Sequence, residues 1–190
     1  ELKFRRFRAS GLSGNISLAN QVITGKNLSF SAMKGRVQMD ATINAARKDS
    51  LFMTYDTRFS RIDVTRLFYE MENFDQTTMT DKNVKGVINA DVQFTSAWSN
   101  SLLLNSRSVR STASISIENG ELNNFAPIQA VGKYIHISDL SHIRFSTLTN
   151  TISIADRKIT IPMMEIRSSA LDLSGNGVHR SEEHTSELQS

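Results

Sequence analysis

The sequence predicts a mainly β protein: a long, curved antiparallel sheet, forming a groove or half-barrel, built from repeated hairpins and accompanied by two short helices. The first observation behind this prediction is a recurring pattern of Ile, Ser, an apolar residue, then Asn or Asp, and a further apolar residue. Its copies are residues 114–122, 152–161 and 16–24. Apolar residues alternate with polar ones in each copy, and Asn20, Asn119 and Asp156 lie where the chain would reverse. Each copy is therefore interpreted as a strand, a tight turn and a returning strand.

The second observation is the two-residue period of several further segments. Residues 37–44 alternate with Val37, Met39, Ala41 and Ile43 as the apolar set, and residues 87–94 alternate with Ile88, Ala90, Val92 and Phe94. Between these segments, the apolar side chains Leu51, Met53, Tyr55 and Phe59 alternate along another predicted strand. Alternation of this kind is typical of antiparallel sheets with one wet face.

The third observation is that only two segments have helical periodicity. Asp63 is a candidate N-cap, and the apolar residues Val64, Leu67, Phe68 and Met71 follow it at helical spacing. A second helix is predicted after the N-cap Asn124. It has Pro127 in its first turn, and its apolar stripe is Ile128, Val131 and Ile135. Both helices are short, so the sheet dominates the predicted fold.

The remaining segments are less regular. Near the start, Leu2 and Phe4 share one face of a short strand, opposite Lys3 and Arg5. This charge pattern indicates either a basic patch for an anionic surface or a solvated strand face. Residues 96–110 fit a short helix or a loose crossover equally well. Strands resume over residues 143–146, 152–155, 159–164 and 171–175, and Pro162 requires an edge or a bulge because it lacks an amide donor.

The length suits one domain or a piece of a larger one, and the composition is that of an ordinary soluble protein. The chain has 190 residues, is 39% hydrophobic and has no cysteine, which excludes disulfides and thiolate metal sites. It begins with Glu1, without an initiating Met or a signal peptide, and no apolar run reaches the ~20 residues of a membrane helix. We therefore interpret residues 1–179 as one β-rich region truncated at both ends.

The last eleven residues, 180–190, match the translation of a common sequencing adapter and are interpreted as non-native. They contain one Arg and three Glu. Without them the chain has 21 basic and 16 acidic residues, a net charge of +5 instead of +3.

The search for a reaction centre yields no catalytic, metal or cofactor residues. His136 and His142 lie six positions apart, which fits neither the helical nor the strand spacing of paired metal ligands. No nucleophile elbow and no Gly-rich phosphate loop is present, and Glu70 and Glu72 point to different sides of a helix. The sequence therefore predicts a protein that is not an enzyme and takes no cofactor. Nucleic acid is not expected as a partner, because no stacking-aromatic or helix-turn-helix pattern occurs.

Apolar area is what the predicted sheet offers instead. Two helices of roughly ten residues span about 15 Å each, too little to cover roughly ten strands spaced ~4.8 Å apart. An open apolar groove suits an acyl chain, because burying about fifteen methylenes contributes ~12 kcal/mol before the costs of binding. The candidate groove residues are Ile88, Val92, Phe94, Ile115, Ile117, Ile152, Ile154, Ile159 and Ile161.

Residues 113–178 resemble the C-terminal region of the AsmA-like proteins of the Gram-negative cell envelope. The resemblance lies in the order of the segments: residues 115–122, a helix over 125–135, residues 145–148, residues 152–159, and the stretch 165–177 that ends in a polar Gly turn. Upstream, a helix over 63–73 followed by residues 85–91 is similar to the same family. Together these segments extend the likeness over most of residues 10–179.

The resemblance implies a periplasmic protein attached to the inner membrane through an N-terminal anchor that is missing here. It also implies a role in outer-membrane biogenesis, with phospholipid or another envelope lipid as the partner moved between the membranes. The family offers no catalytic residues. The alternative is a module that affects the targeting or assembly of outer-membrane proteins, with other envelope proteins binding at exposed strand edges.

Overall fold

The computed structural model of the chain describes residues 1–75, 77–126, 129, 141–167 and 172–180. Within these residues the strands form one antiparallel sheet in which each strand pairs with its sequence neighbours. The ten strands are β1 (Leu2–Phe4), β2 (Phe7–Ala19), β3 (Val22–Ala32), β4 (Gly35–Arg47), β5 (Ser50–Asp63), β6 (Val84–Ser99), β7 (Leu104–Asn123), β8 (His142–Ala155), β9 (Lys158–Arg167) and β10 (Asp172–Arg180). The sheet does not close on itself. Because the described residues lie mostly in this one antiparallel sheet, the predicted mainly β fold class is confirmed.

One α-helix, α1 (Val64–Glu70), and a 3-10 turn (Glu72–Asp75) connect β5 to β6 in the described residues. The predicted N-cap is confirmed, since the Asp63 side chain accepts a hydrogen bond of 2.9 Å from the Arg66 backbone N–H. Leu67 and Met71 pack against a small buried cluster that includes Val37 and Ile62. The helix therefore covers the end of the sheet where β5 finishes and β6 begins.

The buried core of the described residues is small. Among the described residues, Ile62, Ile143 and Val37 are the largest side chains with almost no exposure. A second cluster, around Phe145 and Leu148, lies on β8 and packs against apolar side chains of β7. These clusters occupy the end of the sheet near α1, and most apolar side chains of the central strands are only half-buried.

Two of the three predicted hairpins are confirmed. The β2–β3 turn is Asn20–Gln21, between the pair Ala19 and Val22, and the β8–β9 turn is Asp156–Arg157, between Ala155 and Lys158. All four turn residues have a positive φ, which Asn and Asp tolerate better than most residues.

The predicted hairpin over residues 114–122 is wrong, because β7 continues straight through it. Val87 pairs with Glu118 and Lys85 with Glu121, so one residue of β6, Gly86, faces two residues of β7. Asn119 adopts φ +51, and this left-handed residue forms a β-bulge instead of a turn. The chain stays extended because β6 and β8 pair with β7 on both sides of the bulge.

Further predictions from the sequence concern irregular segments or residues outside the described ranges. Residues 96–110 form neither the short helix nor the loose crossover that were predicted as alternatives; they are the end of β6, a turn and the start of β7, so both alternatives are wrong. Pro162 lies in an irregular stretch of β9, since the β8 ladder ends at Thr160 and a register shift with β10 follows Ile161. The predicted second helix lies almost wholly outside the described residues, as do residues 181–190; Arg180 is the last residue of β10.

Candidate functional site

The candidate site is one face of the sheet, defined by the cross-strand register. Directly opposed residues of an antiparallel pair lie on the same face. One row of opposed residues crosses five strands, from β5 to β9: Tyr55, Phe94, Ser111, Ile154 and Ile159. The rings of Tyr55 and Phe94 are in contact, with centroids 6.0 Å apart. The side of the sheet on which this row lies is the one described in the next paragraphs.

Three parallel rows continue the same face toward α1. They are Thr57, Val92, Ala113 and Ile152; then Phe59, Ala90, Ile115 and Asn150; then Ile62, Ile88, Ile117 and Leu148. Each row lies two residues further along β6 and β7 than the one before, which keeps it on the same side of the pleat. We call this surface, formed by the four rows, the apolar face.

All nine candidate groove residues lie on the apolar face. Eight of them occupy the four rows directly, and Ile161 follows Ile159 by two positions on β9. Every one of the nine is half-buried, so none belongs to the fully buried core and none projects freely into solvent. The structure thus brings these side chains together, and lipid binding by them stays a prediction.

The opposite face of the same strands is polar. Its rows contain Asp56 beside Gln93, and Arg58 beside Asp91, whose side chains form an ion pair of 2.7 Å. Further along β7 and β8 the polar face carries hydroxyl side chains, Thr112 opposite Ser153 and Ser114 opposite Thr151. The sheet is therefore amphipathic across its thickness, as the alternation in residues 87–94 predicted.

Electrostatically, the apolar face is nearly neutral. Its four rows contain no Asp, Glu, Lys, Arg or His, and Tyr55 is their one titratable side chain. Burial raises the pKa of the Tyr55 hydroxyl. That hydroxyl contacts the sulfur of Met53 at 3.1 Å, a weak acceptor, so it stays in a largely apolar environment.

Asn150 carries the one side-chain amide in the four rows of this face. Its Oδ1 accepts the Thr151 backbone N–H at 2.6 Å. Its Nδ2 is buried and has no hydrogen-bond partner among the described residues. The β8–β9 ladder ends at the pair of Ser153 and Thr160, so the side-chain oxygen of Asn150 takes over an amide that the ladder leaves free.

Among the described residues, helical cover of the apolar face lies at one end. Helix α1 contacts β5 and β6, and the cluster it packs on includes Ile62 and Ile88 in the row nearest to it. The rows that contain Val92 and Phe94 lie two and three steps further away. In the described part of the chain, α1 and its 3-10 turn are the helical segments near this face.

The apolar face is wider than the nine predicted residues. Met39, opposite Thr57, extends the Val92 row to β4, and Ala41, opposite Tyr55, extends the Phe94 row. The alternation of β4 and β5 was visible in the sequence. Joining those strands to the β6–β9 set needed the register, which two-residue periodicity alone does not supply.

Other kinds of site receive no support from the described residues. They contain no cluster of three His, Cys, Asp or Glu side chains that could hold a metal ion. His142 donates from Nδ1 to Asn123 Oδ1 at 2.5 Å, while His136 lies outside the described residues. Within the same residues, no helix has the length and apolar content needed to cross a bilayer.

Comparisons of the chain with protein families, with curated proteins and with solved structures give no match. The resemblance to AsmA-like proteins therefore stays a prediction from the sequence.

Proposed function

We propose that this protein handles phospholipid, or another envelope lipid, by holding its acyl chains against the apolar face, without catalysing a reaction. The observation that carries the proposal is the half-burial of all nine predicted side chains on one uncharged face. A monomer that leaves a contiguous apolar surface of this kind partly open usually binds something there. An acyl chain is the simplest guest, because it needs no polar partner from the protein.

The dimensions of the apolar face suit such a guest. Its row of five residues crosses five strands, about 19 Å at ~4.8 Å between strands. That length is close to an extended chain of about fifteen methylenes, whose burial contributes ~12 kcal/mol before the costs of binding.

The AsmA-like resemblance supports the same proposal from the sequence. It suggests a periplasmic location with attachment to the inner membrane of a Gram-negative cell, and a role in outer-membrane biogenesis through lipid transport. We include these as parts of the proposal, together with a lipid partner.

The test uses two neighbouring residues of β6 that lie on opposite faces. Val92 is half-buried on the apolar face and Gln93 is exposed on the polar face. We expect Val92→Asp to abolish lipid co-purification, read by mass spectrometry of extracts from the purified chain, and Gln93→Asp to leave it unchanged. Equal lipid content in both folded variants, or no lipid in the wild type, would contradict the proposal.

A second candidate function is the binding of outer-membrane proteins, or other envelope proteins, at a strand edge. β1 pairs only with residues 7–9 of β2, so the outer edge of β2 beyond Ala9 has no partner strand among the described residues. Leu12, Ile16 and Leu18 lie along this edge and are about 70% exposed. An edge of this kind can accept an added strand.

Site-specific crosslinking separates the two functions. A photo-crosslinker at Asn15 should capture a partner protein if the edge is the working surface, and the Ile16→Lys substitution should then abolish the capture. A crosslinker at Ile154 on the apolar face should instead capture lipid. Protein capture at Asn15 with no lipid at Ile154 favours the second candidate.

A further inference from the structure

Three consecutive leucines lie at the tip of the β6–β7 hairpin, in a turn where polar residues are usual. Leu102, Leu103 and Leu104 are 62%, 70% and 44% exposed. The turn is closed by backbone hydrogen bonds of 2.9 Å from Leu102 N–H to Ser99 and from Ser99 N–H to Leu103. Leu102 also adopts φ +58, a conformation that Gly or Asn would adopt at less cost. The backbone conformation of the turn therefore gives no reason for leucine at these positions. We call residues 102–104 the leucine turn.

The hairpin that carries the leucine turn projects beyond its neighbour on one side. The pairing of β7 with β8 begins only at Arg110, so residues 104–109 extend past the β8–β9 turn. On the other side the β4–β5 turn lies level with the hairpin, because Ser50 pairs with Ser99 and the Asn100 side chain hydrogen-bonds to the Lys48 carbonyl. The leucine turn thus lies beyond the β8–β9 turn and level with the β4–β5 turn.

Basic side chains are numerous at the same end of the sheet as the leucine turn. The two flanking turns and the start of β7, residues 46–50, 98–110 and 155–158, contain Arg47, Lys48, Arg107, Arg110, Arg157 and Lys158. Against these six cations stand two carboxylates, Asp49 and Asp156. Asp156 is paired with Arg110 at 2.6 Å, and Arg47 lies 4.7 Å from the centre of the Phe52 ring. This end of the sheet therefore combines exposed leucines with an excess of positive charge.

From this juxtaposition we infer that the leucine turn docks the protein on an anionic phospholipid bilayer, with the leucines inserted among the acyl chains. Exposed apolar side chains bordered by Lys and Arg are suited to the bilayer interface, where the cations meet anionic headgroups. The occupant is a membrane rather than nucleic acid, because the projecting side chains are aliphatic and offer no ring for base stacking.

The leucine turn, which would enter the bilayer, adjoins the apolar face. Leu104 pairs with Trp98, and Trp98 pairs with Leu51, which shares its side of β5 with Met53 and Tyr55. Apolar side chains are thus continuous from the leucine turn to the row of Tyr55 and Phe94. If the proposed function holds, a lipid leaves the bilayer at this end of the sheet. That consequence rests on the proposed function, whereas docking itself does not.

The test measures binding of the whole chain to vesicles of phosphatidylglycerol and phosphatidylethanolamine by cosedimentation. We expect Leu102→Ser/Leu103→Ser to weaken binding at least tenfold, because two side chains that would be buried in the bilayer become polar. The matched control is Leu12→Ser/Ile16→Ser, since these residues are equally exposed, at 66% and 70%, on β2. The control should bind like the wild type.

The charge contribution is tested separately. Each Lys or Arg near an anionic surface strengthens binding by about fivefold, so Arg47→Gln/Lys48→Gln should weaken binding about 25-fold. The matched control, Lys26→Gln/Lys85→Gln, removes the same charge at ion pairs distant from the leucine turn and should have little effect. On vesicles of phosphatidylcholine alone, the Arg47→Gln/Lys48→Gln effect should vanish.

The single tryptophan, Trp98, gives an independent readout, because it lies opposite Leu104. Its fluorescence should shift to shorter wavelength on anionic vesicles, and the shift should disappear in Leu102→Ser/Leu103→Ser. Equal vesicle binding by that variant and its control would overturn the inference, as would tighter binding to single-stranded nucleic acid than to vesicles. A leucine-dependent dimer with no vesicle binding would overturn it too. Loss of co-purified lipid in Val92→Asp with vesicle binding intact would leave docking standing, so the two proposals fail independently.

Discussion

The Oε2 atom of Glu70, the last residue of α1, accepts a hydrogen bond of 3.1 Å from the backbone N–H of Arg8 in β2. Glu70 is buried, and the residues beside it make parallel contacts: Arg5 pairs with Glu72 at 2.7 Å, and the Arg6 guanidinium lies over the Tyr69 ring. The helix is therefore fastened to the first strands of the sheet, from which it is separated by some sixty residues of chain.

Replacing Glu70 with Ala should destabilise the protein by about 1–3 kcal/mol, because the Arg8 N–H would lose its acceptor in a partly buried position. Urea unfolding followed by circular dichroism measures the change. The control is Glu72→Ala, which breaks an exposed ion pair and should cost at most about 1 kcal/mol. A larger loss in Glu72→Ala than in Glu70→Ala would show that burial of the Glu70 carboxylate is not what matters.

Gly120 permits the close packing of Phe145 on β7. A Cβ atom at Gly120 would lie about 2.0 Å from the Phe145 ring, far inside contact distance. Gly120→Ala should therefore force the ring out of its cluster with Leu148 and lower the free energy of unfolding by about 1–3 kcal/mol. The matched control is Gly177→Ala, where no atom lies within 4 Å of the added carbon. Comparable losses in thermal unfolding for the two variants would refute the steric explanation.

Asp63 should make stability depend on pH. Burial acts to raise the pKa of its carboxyl, but hydrogen bonds from the Lys34 side chain and the Arg66 N–H outweigh burial and hold the pKa below its ordinary value of 3.8. A carboxyl with a lower pKa in the folded state stabilises the fold above its unfolded pKa. That stability is lost as the pH falls through the folded pKa.

The measurement is urea unfolding from about pH 6 to about pH 2.5. The wild type should lose stability on acidification, and Asp63→Asn should lose less because one of the responsible carboxylates is gone. Some dependence should remain, since Lys26 lowers the pKa of Asp40 and Lys85 lowers the pKa of Glu121. Identical pH profiles for the two proteins would rule out a contribution from the Asp63 cap.

The sequence predicted the features that depend on neighbouring residues. The alternation in residues 37–44 and 87–94 needs only the pleat of a strand, and the Asp63 cap needs only the next three residues. Asn20 and Asp156 are in turns because their positive φ closes a two-residue hairpin.

Asn119 carries the same local signal and has a similar φ, yet it lies in a bulge. The difference is set by β6 and β8, which pair with β7 on both sides, and no pattern within residues 114–122 contains that information. The apolar face was incomplete for a related reason. Two-residue alternation assigns a side chain to a face of its own strand but does not give the register between strands, so the β4 and β5 members could not be joined to the β6 rows from the sequence.

The neighbour-to-neighbour strand order has a kinetic consequence. Every ladder in the described sheet joins strands that follow one another along the chain, so no ladder requires a strand that lies beyond the next one in sequence. Folding can therefore start at any well-formed hairpin and spread outward by adding one strand at a time, as repeats are added in solenoid proteins. A destabilising substitution in one hairpin would then unfold the strands next to it first, and the amides of remote hairpins would stay protected from hydrogen exchange.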